Sequence, residues 1–375
     1  MKSKKISDWK DKVLYTPGPL TTSKTVKQAM LRDVGHRESE FIDIVSNMRK
    51  ALLKIVQANE EDYVSIPLQG SGSYGIEAVL NTASTDDSKW LVIINGAYGR
   101  RISKMLEVMG VEKTELNYDE DQIPNEKDVE DVLSKDEAIT HVALIHSETT
   151  TGLMNPLEGV SELCKKYNKI FFVDAMSSYG AVPIDMPGLD IHYLVSTANK
   201  NVEGVPGFAF AIANKEVLKN DKGNADSLVL DLYDQWARFE KDEQFRFSPP
   251  THSILAFNQA LQELEQEGGV EGRLDRYQEN VDTLIAGMDK LGFKRYIADD
   301  LQGPIIVSFY YLDDPKFSFE KFYNYLNDRG YVIYPGKVAK ADLFRLATCG
   351  RLFKNDMLNI IAIIKEALEY MGVKT

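Results

Sequence analysis

The sequence predicts an α/β fold, a mostly parallel sheet sandwiched between helices, followed by a smaller C-terminal α+β unit. Three observations carry this. Strand and helix signals alternate, with 63–68, 90–95, 140–146 and 170–174 reading as extended and 72–83, 100–109 and 157–167 as helical. The extended stretches are apolar on both faces, as in Phe171-Phe172-Val173, which suits strands covered by helices on both sides. The alternation then changes near Thr251, where helical runs over 254–266 and 270–291 lead to strands over 304–311 and 331–334 and helices over 319–328 and 356–370. A chain of 375 residues is long enough for two domains at roughly 100 to 200 residues each. We divide it into an entry segment 1–22, a large domain 23–265 and a small domain 266–375.

The entry segment holds the rigid, turn-rich run Tyr15-Thr16-Pro17-Gly18-Pro19, after which Thr22 or Ser23 is positioned to cap a short helix over 24–31. Phe41, Ile44, Val45, Met48, Leu52, Ile55 and Val56 then recur at helical spacing and predict a long amphipathic helix. The formal net charge of −13 disfavours nucleic acid and anionic membrane as partners. Cys164 and Cys349 are far apart and belong to no CxxC pair, which suggests a reducing compartment, and the five histidines lack metal-ligand spacing. With no apolar leader region at the N-terminus and no apolar run of roughly 18 residues, a cytoplasmic location is expected.

The strand over 170–174 ends in Asp174, and a strand near Tyr193-Leu194-Val195 leads through a short loop to Lys200. Open α/β sheets keep their sites at this C-terminal edge, so the two opposite charges make either a salt bridge or the two ends of a pyridoxal phosphate site. Gly70-Ser71-Gly72-Ser73-Tyr74-Gly75 fits GxGxxG, but the next strand ends in Asn95-Gly96 and not in the acidic residue a dinucleotide ribose needs. A monophosphate held by Ser71, Gly72 and Ser73 at a helix N-terminus fits better. Pyridoxal phosphate needs a lysine for its aldehyde, a buried carboxylate for its ring nitrogen, a flat partner for the ring and a donor for its phenolic oxygen. Lys200, Asp174, Tyr98 and the run Thr149-Thr150-Thr151 supply these, each at the end of a successive strand.

The blocks GSGSYGIEA, NGAYGRR, VDAMSS and STANK resemble the fold-type I, class V aminotransferases, and TPGPLTTS, HSETTTG, GVPGFAF and YPGKV resemble their 2-aminoethylphosphonate:pyruvate transaminase branch. The resemblance implies a pyridoxal phosphate-dependent transamination of 2-aminoethylphosphonate with pyruvate, by a ping-pong route through a Schiff base at Lys200. It implies Asp174 as the ring-nitrogen partner, Tyr98 and Met176 against the two ring faces, and Thr149 at the ring hydroxyl. The phosphate would be held by Ser71, Gly72, Ser73 and Asn199. A homodimer with shared sites is implied as well, Ser248 and Thr251 completing the partner's phosphate site, with Arg345 gripping the substrate carboxylate and assisted by Arg37 or Arg246. Two stretches depart from the branch: 35–41 looks more like the alanine or serine:glyoxylate aminotransferases, and 346–350 lacks the expected glycine-asparagine. They leave the amino donor and the direction, degradative or biosynthetic, open. A desulfurase reading would need Cys349 as a mobile nucleophile.

Overall fold

The computed structural model describes residues 11–336 and 341–374. Residues 1–10 of the entry segment, and Lys337 and Val338 of the YPGKV block, lie outside the described residues.

Seven strands form the main sheet: β1 (Tyr63–Gln69), β2 (Lys89–Ile94), β3 (Glu112–Asn117), β4 (His141–Ile145), β5 (Ile170–Asp174), β6 (Tyr193–Thr197) and β7 (Phe208–Asn214). Their spatial order is β1-β7-β6-β5-β4-β2-β3. All neighbours run parallel except β7, which is antiparallel to both β1 and β6. The central strands are buried along their length apart from Ile170 at the start of β5, as their two-sided apolar character demands. Two strands of this sheet escaped the sequence reading. Strand β3 reads Glu-Lys-Thr-Glu-Leu-Asn and lies at the sheet edge with no fully buried residue, so it offers no apolar run. Strand β7 is apolar and buried but follows β6 through the loop carrying Lys200, where no helical signal separates the two. Helices Glu126–Lys135, Lys215–Asn220 and Leu232–Asp242 were also not foreseen.

The small unit pairs Ile306–Tyr310 and Tyr334–Pro335 antiparallel with Leu343–Ala347. The single strand expected over 331–334 is in fact two pieces, because Tyr331–Val332 pairs instead with Val13–Leu14. The entry segment is thus anchored to the C-terminal unit. Tyr15 is 1% exposed, donates its hydroxyl to the Asp356 carbonyl at 2.7 Å, and accepts from the Ala347 amide at 3.0 Å. Buried apolar residues form one large cluster ending at Ala260 and a second that joins Tyr15 to residues 281–373. We propose that the domains divide where helix Thr251–Gln266 meets helix Gly269–Lys290, as their separate cores suggest. Ser23, one of the two cap candidates, accepts from the Val26 amide and starts helix Lys24–Ala29.

Candidate active site

Parallel strands aim their C-terminal ends at one edge, and the loops there enclose a cavity of about 200 Å³. Ser71, Gly72, Ser73, Tyr98, Thr149, Asp174, Met176, Asn199 and Lys200 all line it. The register pairs Asp174 of β5 with Val195 of β6, so neighbouring strands deliver Asp174 and the loop to Lys200. Larger cavities, among them one of about 250 Å³ beside Arg49 and one of about 730 Å³ between helices Ser39–Ile55 and Thr251–Gln266, gather no comparable set.

Asp174 is buried and accepts the Met176 amide at 2.9 Å. Burial pushes its carboxyl up to about 6; the Met176 amide opposes the rise, Glu148 adds to it, and the charges of Lys200 and Arg101 oppose it. Among the described residues no ion pair joins Asp174 to Lys200, and the lysine Nζ donates to the Pro17 carbonyl at 2.6 Å. The salt-bridge alternative therefore does not describe this pair. A Cβ on Gly18, which has φ +144°, would sit 2.6 Å from that Nζ, so the entry segment packs directly on Lys200. We expect Gly18→Ala, which combines this clash with strain of about 1–3 kcal/mol, to lower covalent uptake of added pyridoxal phosphate at least about tenfold. Uptake followed by absorbance checks this, and an unchanged rate would contradict it.

Helix Gly72–Ala83 opens at the cavity after Ser71, whose side chain makes no cap bond, leaving unpaired amides directed at a would-be anion. Met176 packs so near Gly72 that a Cβ there would lie 2.6 Å from its sulfur. Tyr98 lies in the first turn of helix Ala97–Met109. The Thr150 hydroxyl accepts the Ala97 amide at 3.0 Å and itself donates to buried Glu148, so strand-end residues hold that turn. Thr197 donates to the Asn199 side chain at 3.2 Å.

Arg345, 1% exposed, lies behind Thr149: its Nη1 donates to the Thr149 carbonyl at 2.7 Å and its Nε to the Pro335 carbonyl at 3.1 Å. Nη2 carries neither bond. Ser248 and Thr251 lie outside this cavity, Ser248 exposed. Arg246 pairs with Asp234 at 3.2 Å, Arg37 is exposed, and neither lines the cavity. The divergent stretch 346–350 is buried; Ala347 and Cys349 pack with Leu20 and Tyr277. Burial pushes the Cys349 thiol up to about 12, which removes it as a thiolate nucleophile.

Arg101 was missed. It lies 4.9 Å from the Tyr98 ring centre and donates to the Ser73 hydroxyl at 3.2 Å. Its position three residues after Tyr98 on one helix face was the available signal. Ser147, Ser177 and Thr197 also line the wall and were not singled out.

These donors fit pyridoxal phosphate. A carboxylate pushed up to about 6 by burial suits pairing with a protonated ring nitrogen, and the helix terminus with Ser71, Ser73 and Arg101 suits a phosphate. The family model for class-V aminotransferases matches residues 21–343. The chain belongs to that family. This aminotransferase is 46% identical over 358 residues to a 2-aminoethylphosphonate–pyruvate transaminase from Klebsiella pneumoniae subsp. pneumoniae, covering 95% of this chain and 97% of the relative. It is 45% identical to one from Salmonella heidelberg, covering 96% and 98%. The aminotransferase superposes on the ureidoglycine–glyoxylate aminotransferase of Bacillus subtilis with a TM-score of 0.89 at 21% identity, covering 97% and 95% of the two chains. With the alanine–glyoxylate aminotransferase of Nostoc sp. the TM-score is 0.88 at 22% identity, covering 96% of each. Those two likenesses speak to the fold alone. No described helix of the aminotransferase is long and apolar enough to cross a membrane.

Proposed function

We propose that this aminotransferase moves the amino group of 2-aminoethylphosphonate to pyruvate, giving phosphonoacetaldehyde and L-alanine, with pyridoxal phosphate as cofactor. The near-full-length similarity to transaminases of that name carries the choice of substrates. Bound pyridoxal phosphate supplies an aldehyde that accepts the amino group and a ring that withdraws electrons from the reacting carbon.

The chain's residues divide the remaining work. Lys200 would hold the cofactor through its Nζ, and the same amine, when free, would serve as the general base that moves the proton. Asp174 would keep the ring nitrogen protonated, a role supported by its burial and its place in the wall of the same cavity as Lys200. Tyr98 and Met176 would bracket the ring, Thr149 would bond its hydroxyl, and Ser71, Gly72, Ser73 and Asn199 would hold the phosphate. Ser248 and Thr251 complete the partner's phosphate site in a homodimer, a reading supported by their position outside this chain's own cavity. Arg345 binds the anionic end of each substrate, the phosphonate in one half-reaction and the carboxylate in the other. Its two backbone bonds fix the guanidinium plane beside Thr149 of the cavity wall, although Arg345 itself does not line the cavity.

Guanidinium geometry matters for that last role, since lysine offers only a point charge. Arg345→Lys is expected to lower kcat/KM for both substrates on the order of 100-fold, measured by steady-state kinetics; a loss under twofold would contradict the assignment. The substrate pair is tested by offering 2-aminoethylphosphonate, alanine and serine against pyruvate and glyoxylate. 2-Aminoethylphosphonate with pyruvate should give the highest kcat/KM. Preference for serine or alanine with glyoxylate would make the enzyme a glyoxylate aminotransferase instead.

A further inference from the structure

The loop that carries Lys200, residues 198–204, is pinned by a buried charge network with no part in the chemistry derived above. Glu203 has φ +66°, a conformation rare for a residue with a side chain, and is 2% exposed. Its amide donates to the Lys200 carbonyl at 2.7 Å, closing a tight turn directly after the lysine. Its carboxylate accepts from Arg276 at 2.7 Å and from the Tyr277 hydroxyl at 2.9 Å, with Arg273 at 3.4 Å. Arg273 also donates to the Asn201 carbonyl, and Asn201 donates its side-chain amide to the Ser177 carbonyl at 2.9 Å. The Lys200 turn is therefore held from both sides.

The same groups reach toward Arg345. Arg276 donates to the carbonyls of Gly350 and Leu352 at 2.6 and 2.7 Å, just beyond strand Leu343–Ala347, and Tyr277 accepts the Gly350 amide at 2.9 Å. Burying such charges is costly, and apolar replacements of similar volume often stabilise a fold as well or better. The value of the network thus lies in geometry. We propose that Glu203 is a positioning residue: through Arg273, Arg276 and Tyr277 it sets the location of Lys200 relative to the small-domain loop that follows Arg345. This rests on the proposed role of Lys200.

Glu267 supplies an internal control. It bonds the same arginines, to Arg273 at 2.9 Å and Arg276 at 2.6 Å, but among the described residues no hydrogen bond or ion pair joins it to the Lys200 turn. The test follows, by absorbance, the rate at which full-length apoprotein covalently captures added pyridoxal phosphate, together with kcat, KM for pyruvate and Tm. Glu203→Gln is expected to slow capture and lower kcat at least about tenfold with KM within about twofold. Glu267→Gln is expected to lower Tm while leaving capture and kcat within about twofold. Equal slowing in both variants, in step with Tm, or an unchanged capture rate in Glu203→Gln, would overturn the inference. Should Glu203→Gln fail to fold, Tyr277→Phe removes one donor from the same carboxylate and is expected to slow capture about threefold; no change would overturn it. Failure of the wild-type chain to capture the cofactor would instead defeat the reading of Lys200 itself, and the inference with it.

Discussion

Lys200→Ala is expected to fold normally, lose the visible absorbance of lysine-bound cofactor and lose at least about 10⁴-fold in kcat, on the order of 5–6 kcal/mol of barrier. The lysine is only half-buried and its Nζ donates to the Pro17 main-chain carbonyl, so truncation removes little packing. The loss falls on chemistry because one amine both holds the cofactor and carries the proton. Absorbance spectra, Tm and turnover measured on the same preparation check this. A variant keeping more than about a tenth of wild-type turnover would remove Lys200 from the mechanism.

Asp174→Asn separates the charge of this residue from its shape. In the folded apoprotein the carboxyl keeps its proton up to about pH 6, against an ordinary value of 3.8. The native state therefore binds more protons than the unfolded chain between those values, and apoprotein stability falls as pH rises from about 4 through about 6. The shift of about two pH units corresponds to about 3 kcal/mol. Asparagine carries no such penalty, so the variant apoprotein should be the more stable above pH 6 and should lack this pH dependence. Cofactor loading reverses the comparison: the wild type gains a cationic partner for its carboxylate, whereas the variant gains less stability and is expected to lose at least about 10²-fold in kcat. Thermal melts with and without pyridoxal phosphate across pH 4 to 8 decide this. Equal gains in both proteins on loading would show that Asp174 does not pair with the ring.

Legibility from sequence followed burial. Strands β5 and β6, helix Gly72–Ala83 and their terminal residues were readable because two-sided burial demands an apolar run that stops where the chain turns toward the site. Of the named residues that line the cavity, Ser71, Gly72, Ser73, Tyr98, Thr149, Asp174 and Lys200 were readable from their places at or just past strand ends, whereas Met176 and Asn199 came only with the family resemblance. Strand β3 was hidden because an edge strand can be polar, and the division at Ile333 because its cause, pairing with Val13–Leu14, lies more than 300 residues away. Arg101 escaped because its partners, Ser73 and the Tyr98 ring, come from two different helix termini. The Glu203 network was invisible for a related reason: its charges meet only when helix Gly269–Lys290 packs on the Lys200 loop.

Arg345 shows how far motif reading reaches. Its place behind Thr149, with Nε and Nη1 bonded to backbone carbonyls, is a tertiary fact. That placement makes Thr149 a shared element: its side chain faces the cavity wall and its carbonyl steadies the arginine. In the proposed mechanism this contact ties the substrate-binding arginine to the cofactor site.

The most direct test of the account is borohydride reduction of the protein loaded with pyridoxal phosphate, followed by peptide mass mapping. A single modified lysine, Lys200, is the predicted result, and prior addition of 2-aminoethylphosphonate should abolish the modification. Stable labelling of another lysine, or labelling of Lys200 that 2-aminoethylphosphonate leaves undiminished, would contradict it.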